Sequence, residues 1–144
     1  MKPAPSESGS ALLELSLVLP LVLFMFLGIV DIGLAICESM TVEDAARAGA
    51  EYGALIGNET NITGMQNAAS VAANGLPGFQ ATATSWCSCS PNGSVVSCSS
   101  TCSGSTNPLQ YVQVQTGATV NAIYGYPGLP ASFALTGFAA LRVQ

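Results

Sequence analysis

Four cysteines lie close together in the sequence, and their spacing limits the chemistry that they can support. Cys87, Cys89, Cys98 and Cys102 surround the turn-forming segment Pro91-Asn92-Gly93. Structural zinc sites usually have two to four residues between paired ligands, whereas Cys87 and Cys89 have one between them. Outside the membrane, an even set of four cysteines is expected to be oxidised. We therefore expect two disulfide bonds, either Cys87–Cys98 with Cys89–Cys102 or Cys87–Cys102 with Cys89–Cys98.

Other side chains that carry chemistry are scarce. The 144 residues include no histidine and three basic residues, and all eight acidic residues lie at or before Glu59. Without a histidine, and with no carboxylate side chain in the C-terminal part, the chain cannot assemble a nucleophile–base pair or a metal centre. The sequence therefore predicts a protein that is not an enzyme and that has no cofactor or metal. Three basic residues and a net charge of −5 also argue against a nucleic-acid partner.

The longest apolar stretch, from Gly9 to Ile36, organises the rest of the chain. Between Glu14 and Asp31 it has sixteen consecutive uncharged residues, which would be about 24 Å long as a helix. With its flanks the stretch exceeds the roughly 20 residues that a membrane span needs, and it is too long for a cleavable secretory signal. It predicts a membrane-spanning helix with Asp31 as a transmembrane acid at its end. Lys2 before the span and acidic residues after it favour a cytoplasmic N-terminus.

The helix is expected to continue past the membrane. From Ser39 to Ile56, apolar and small residues recur at three- and four-residue steps, and Gly57-Asn58 is a suitable stop. A single helix from about residue 10 to residue 57 would be near 70 Å long, with a bend or local loosening at Pro20. Cys37 is most simply a small apolar packing residue. Small residues along the helix would let other helices approach closely: Gly28, Gly33, Ala35, Ala45, Ala46, Ala48, Gly49, Ala50 and Gly53.

The remaining residues predict a small domain. Asn61 or Thr63 can cap a second helix, which Gly75 and Pro77 would end. Strands are predicted at residues 79–86, 112–124 and 133–143, the second of them with apolar residues at every other position. Trp86 could bind sugar, but we expect it to lie in the core. The predicted fold class is α+β: a long N-terminal membrane-spanning helix, packed with a short helix on a small antiparallel sheet with a disulfide-bonded hairpin.

Several segments carry a resemblance to a known family. Gly9 to Glu14 follows the type IV prepilin pattern of a glycine, four residues, a glutamate and an apolar helix. The chain resembles TadE-like proteins, the pilin-like pseudopilins of tight-adherence (Tad/Flp) type IV pilus systems. It departs from them at Leu15, where the family usually has an aromatic residue, and its leader has only one lysine. The matching segments are Gly9-Ser10-Ala11-Leu12-Leu13-Glu14-Leu15, Val18-Leu19-Pro20, Leu27-Gly28-Ile29-Val30-Asp31 and Asp44-Ala45-Ala46-Arg47-Ala48-Gly49-Ala50 and, in the C-terminal half, the cysteine-bearing hairpin, Tyr111-Val112-Gln113-Val114, Tyr126-Pro127-Gly128-Leu129-Pro130 and Ala139-Ala140-Leu141-Arg142.

The resemblance implies a pilin-like long helix and a processing step. Prepilin peptidase would cut between Gly9 and Ser10, and the freed amine of Ser10 would meet Glu14 of a neighbouring subunit inside the lipid. In the alternative interpretation, Glu14 meets no such amine and only marks the boundary between the lipid headgroups and the hydrocarbon. Residues 1–9 would be the leader peptide, residues 10–57 the transmembrane and assembly helix, and residues 58–144 a small extracytoplasmic domain.

The implied function is that of a minor pilin or pseudopilin that supports pilus biogenesis, adhesion and surface colonisation. Expected partners are other pilin subunits, the Tad inner-membrane assembly platform, prepilin peptidase, the lipid bilayer and further copies of the chain in a filament. The protein would cross the bacterial inner membrane once, with its C-terminal domain periplasmic or extracellular, or would lie in the pilus. The alternative is a stationary, membrane-anchored periplasmic protein whose domain binds a ligand or partner.

Overall fold

A long helix, a short helix and a four-stranded sheet form the fold. The computed structural model describes residues 8–91, 93–123 and 130–143, with side chains from residue 11 onward. The elements follow one another in the order α1 (Ser8–Ala54), α2 (Ile62–Ala72), β1 (Gln80–Ser88), β2 (Val95–Val96), β3 (Leu109–Asn121) and β4 (Ser132–Arg142). This arrangement confirms the predicted α+β class. The predicted leader residues 1–7 and the turn from Tyr126 to Leu129 lie outside the described residues.

Helix α1 contains 47 residues and is continuous through Pro20, so it is about 70 Å long. It ends three residues before the predicted stop, and Gly57 beyond it has a φ of +89°. Because glycine adopts positive φ without steric cost, Gly57 lets the chain turn back toward α2. Asn61 caps α2, since its side-chain oxygen accepts a hydrogen bond from the backbone N–H of Gly64 at 2.9 Å.

The sheet is antiparallel, with the strand order β2-β1-β3-β4. Strand β3 shows the predicted alternation: Val112, Val114, Thr116 and Ala118 are buried, while the residues between them are more exposed. Side chains point to opposite faces of a strand in turn, so this alternation gives the sheet an inner face toward the helices and an outer face.

The core lies between the inner face and both helices. It joins Ala50 of α1, Met65 and Ala69 of α2, and Ala83, Val112 and Val114 of the sheet. The close approach depends on small residues of α1, since a Cβ atom at Gly49 would lie 2.8 Å from the carbonyl oxygen of Met65. The sequence predicted that such residues admit other helices, and at Gly49 the helix that approaches is α2 of the same chain.

A polar contact fixes α1 on the sheet. The hydroxyl of Thr116 donates a buried hydrogen bond of 2.7 Å to the carbonyl oxygen of Val42. Gly137 of β4 leaves room for it, because a Cβ atom there would lie 2.5 Å from both the Thr116 hydroxyl and the Val42 carbonyl oxygen. A glycine inside a strand usually weakens it, but Gly137 permits helix and sheet to touch.

Two disulfide bonds hold the hairpin that β1 and β2 form. They join Cys87 to Cys98 and Cys89 to Cys102, which is one of the two pairings that the sequence left open. In the predicted hairpin turn, Asn92 lies outside the described residues. Each bond closes a loop of about a dozen residues, and cross-links of this size typically contribute about 2–4 kcal/mol.

Candidate functional site

Helix α1 has three parts with different surroundings. We call residues 8–30 the projecting segment, residues 31–41 the junction and residues 42–54 the packed segment. Buried side chains of α1 begin at Val42 and continue through Ala45, Ala46 and Ala50. In the projecting segment, by contrast, every large apolar side chain from Leu12 to Phe26 is at least 48% exposed. The helix therefore leaves the domain and carries its apolar surface outward.

Such a surface needs a partner other than water. Burying one large apolar side chain is worth about 1.5–3 kcal/mol, so the many exposed side chains of the projecting segment represent a free-energy cost in water of roughly tens of kcal/mol. The helix is long and apolar enough to cross a membrane, and its most apolar window has no residue buried in the fold. The helix thus fits a single-pass membrane anchor.

Glu14 is the one charged residue of the projecting segment. Its side chain is exposed on the helix and has no ion-pair or hydrogen-bond partner among the described residues. Gly9 and Ser10, the predicted processing residues, both have helical backbone, and their side-chain surroundings lie outside the description. Since residues four apart lie on one side of a helix, Ser10 and Glu14 share a face of α1. An acid on an apolar surface is costly unless it meets a partner.

Asp31 lies where α1 meets the end of the sheet nearest to the projecting segment. Its carboxylate accepts a hydrogen bond of 3.0 Å from the backbone N–H of Ile123, just beyond β3. The predicted transmembrane acid thus ties the junction to the domain. Asp31 and Glu38, which is seven residues further along α1, both line a small cavity between the junction and the sheet. The Oε2 atom of Glu38 is buried without a hydrogen-bond partner in the described part of the chain. Sequence reasoning used Glu38 only as one of the acidic residues after the span, although its two-turn spacing from Asp31 places both acids on one helix face.

An apolar notch continues the surface of the projecting segment onto the domain. Ile32 and Ile36 of the junction line it together with Phe133 and Leu135 at the start of β4. Only apolar atoms are exposed in the notch. Sequence reasoning missed it, because the register that brings β4 beside the junction cannot be derived from either segment alone.

One aromatic residue and one cysteine lie elsewhere than the sequence predicted. Trp86 was expected in the core, but it lies on the outer face of the sheet, where its ring stacks on that of Tyr111 with a centroid distance of 5.6 Å and an interplanar angle of 16°. Cys37 was expected to be a packing residue, but it is an exposed free thiol. In both cases the residue type suggested burial, but the residue lies on a face of its helix or strand that points away from the core.

The N-terminal helix is also the part of the chain that matches a family model. The family model of TadE-like protein matches residues 9–51, which cover nearly all of α1 and stop before α2. No curated protein and no solved structure matches the chain. The match confirms the resemblance to TadE-like proteins over the N-terminal helix. Over the projecting segment, the junction and most of the packed segment, the chain is similar to TadE-like proteins.

Proposed function

We propose that the chain is a minor pilin or pseudopilin of a Tad/Flp-type IV pilus, cut by prepilin peptidase between Gly9 and Ser10. The observation that carries the proposal is the projecting segment, an exposed apolar helix with a single acid near its start. A simple anchor gains nothing from a carboxylate at that depth, since an ionised acid in hydrocarbon costs at least about 2.5 kcal/mol. An assembling subunit can use the same carboxylate to bind a positively charged group of a neighbouring copy.

The acid gains a partner through processing. Cleavage after Gly9 creates a positively charged amine on Ser10, four residues before Glu14. In a cluster of subunits, this amine of one copy reaches Glu14 of its neighbour, and the low dielectric of the surrounding lipid strengthens their attraction. The apolar side chains of the projecting segments then bury one another, and the domains stay outside the membrane.

The proposed orientation rests on the charges that flank the projecting segment, with Lys2 before it and acidic residues after it. With a cytoplasmic N-terminus, the peptidase site faces the cytoplasm and the disulfide-bonded domain faces the periplasm, where disulfides persist. Other pilin subunits and the Tad inner-membrane assembly platform are the proposed partners. Pilus biogenesis, adhesion and surface colonisation are the proposed roles.

Mass spectrometry of the mature N-terminus tests the proposal. A chain that begins at Ser10 supports it, and a chain that retains Met1 instead supports a stationary membrane-anchored binding protein. Gly9→Val should block cleavage and leave the precursor in the membrane, because a branched side chain obstructs the peptidase at the scissile bond.

Gly33→Val is the matched control. Gly33 lies in the same helix, and a Cβ atom there would meet no atom within 4 Å. The Gly33→Val protein should therefore be processed like the wild type. Normal maturation of Gly9→Val, or loss of maturation in both variants, would contradict cleavage at Gly9.

A further inference from the structure

The outer face of the sheet carries a row of three residues that are common at protein interfaces. The strand register places Trp86 of β1 beside Tyr111 of β3, and Tyr111 beside Arg142 of β4. Both helices pack on the inner face, so no helix of the described chain covers this row. Trp, Tyr and Arg are the residue types most enriched among those that dominate binding energy at interfaces.

The charge of this face is unusual. Arg142 is the only charged side chain after Glu59, and it has no ion-pair partner among the described residues. The outer face also exposes Phe138, which lies four residue pairs from the row on the same strand as Arg142. An aromatic surface with one unneutralised cation fits a partner that is acidic.

The opposite side of the same domain is acidic. On the packed segment of α1, Glu43, Asp44 and Glu51 are exposed, and Arg47 forms a 2.8 Å ion pair with Glu43. This leaves Asp44 and Glu51 with no ion-pair partner in the described part of the chain. They are seven residues apart, so they lie on one face of the helix about 10 Å from each other along its axis.

The two surfaces lie toward the same end of the domain. A Cβ atom at Gly49, two residues before Glu51, would lie 3.1 Å from a side-chain carbon of Val114 in β3. Tyr111 is three residues from Val114, on the side away from the contact between Asp31 and Ile123. If copies of the chain cross one membrane in the same direction, their helices run in parallel, and the outer face of one copy can meet the acidic face of α1 in the next.

We infer that the outer face of the sheet, through Trp86, Tyr111 and Arg142, binds the acidic face of α1 at Asp44 and Glu51 in a second copy of this chain. This inference rests on the proposed function, because it requires copies side by side in one membrane. Contact between two acidic helix faces, or between two faces that carry Arg142, brings like charges together. The contact is therefore heterologous, and a heterologous contact repeats along a ring or a filament.

Photocrosslinking in membranes of cells that express the full chain tests the contact. Benzoylphenylalanine in place of Phe138 exchanges one exposed aromatic side chain for another, and mass spectrometry identifies the residue that it captures. We expect capture of residues 43–51 of a second copy, with bands at dimer, trimer and higher positions on a denaturing gel. Benzoylphenylalanine in place of Val71, an exposed residue of α2, should not capture this segment.

Charge reversal separates the ion pair from chance proximity. Arg142→Glu alone and Glu51→Arg alone should each reduce the crosslink several-fold, and the double variant should restore it. No crosslink at Phe138, capture of another protein or of lipid, or a crosslink that ignores both reversals would overturn the inference. The N-terminus of each variant is sequenced in parallel, since a chain that starts at Ser10 without the crosslink refutes only this contact, whereas a chain that keeps Met1 refutes the proposed function.

Discussion

The projecting and packed segments of α1 belong to one continuous helix, yet their side chains have opposite surroundings. In the projecting segment, the large leucine, valine and phenylalanine side chains from Leu12 to Phe26 are exposed, and in the packed segment the small residues Ala45, Ala46 and Ala50 are fully buried. Residue size explains the difference. Small side chains let a sheet and a second helix approach closely, whereas large apolar side chains offer area to lipid or to other helices. Burial in this chain thus follows the partner available to each segment more than hydrophobicity.

The comparison predicts that the domain depends on its own cross-links and contacts, whereas the projecting segment does not. The largest effect is expected from loss of both disulfides through Cys87→Ser, Cys89→Ser, Cys98→Ser and Cys102→Ser. The free energy of unfolding should fall by several kcal/mol, since each bond typically contributes about 2–4 kcal/mol. Chemical denaturation of the detergent-solubilised protein measures it, and Cys37→Ser is the control, because that thiol is free and exposed. An unchanged midpoint after loss of both bonds would contradict this ranking.

Two glycines of α1 give a smaller and more local contrast. Gly49→Ala should destabilise the domain by about 1–3 kcal/mol, because the added methyl group meets the Met65 carbonyl oxygen at 2.8 Å and overpacks the core. Gly33→Ala should leave stability unchanged or slightly higher, because nothing lies within 4 Å of its Cβ position and alanine favours a helix. Thermal unfolding of the two variants side by side tests the pair. Equal effects would show that the packed segment is not packed as described.

The junction should contribute least to stability. Asp31→Ala removes the acceptor for the Ile123 N–H, and a hydrogen bond to a charged group is worth about 1.5 kcal/mol or more. Asp31→Asn keeps an acceptor and should lose less. Hydrogen exchange at the Ile123 amide is the most local readout, with faster exchange expected in Asp31→Ala. Equal protection in both variants and the wild type would mean that Asp31 does not hold the end of β3.

The sequence was sufficient wherever a single segment determines the outcome. Apolar length predicted α1, Asn61 was one of the two predicted caps of α2, and alternation predicted β3 with an error of about three residues at each end. The sequence was insufficient wherever two distant segments meet. The pairing of the cysteines, the role of Gly137 against Val42 and the outer-face position of Trp86 all depend on strand register and on which face the helices cover. Similarly, Asp31 and Ile123 are 92 residues apart, so no local pattern could connect them.

The central claim is that the projecting segment serves assembly, and Glu14→Leu tests it most directly. The measurement is the amount of pili on the cell surface, together with the N-terminus and membrane fraction of the variant. Ser16→Leu, which adds an apolar side chain two residues away, is the matched control. We expect Glu14→Leu to be cleaved after Gly9 and inserted normally but to lower piliation about tenfold or more, since a charged partner worth about 1.5–3 kcal/mol is lost. Normal pili that contain the Glu14→Leu protein at wild-type levels would contradict the account and leave Glu14 as a marker of the membrane boundary.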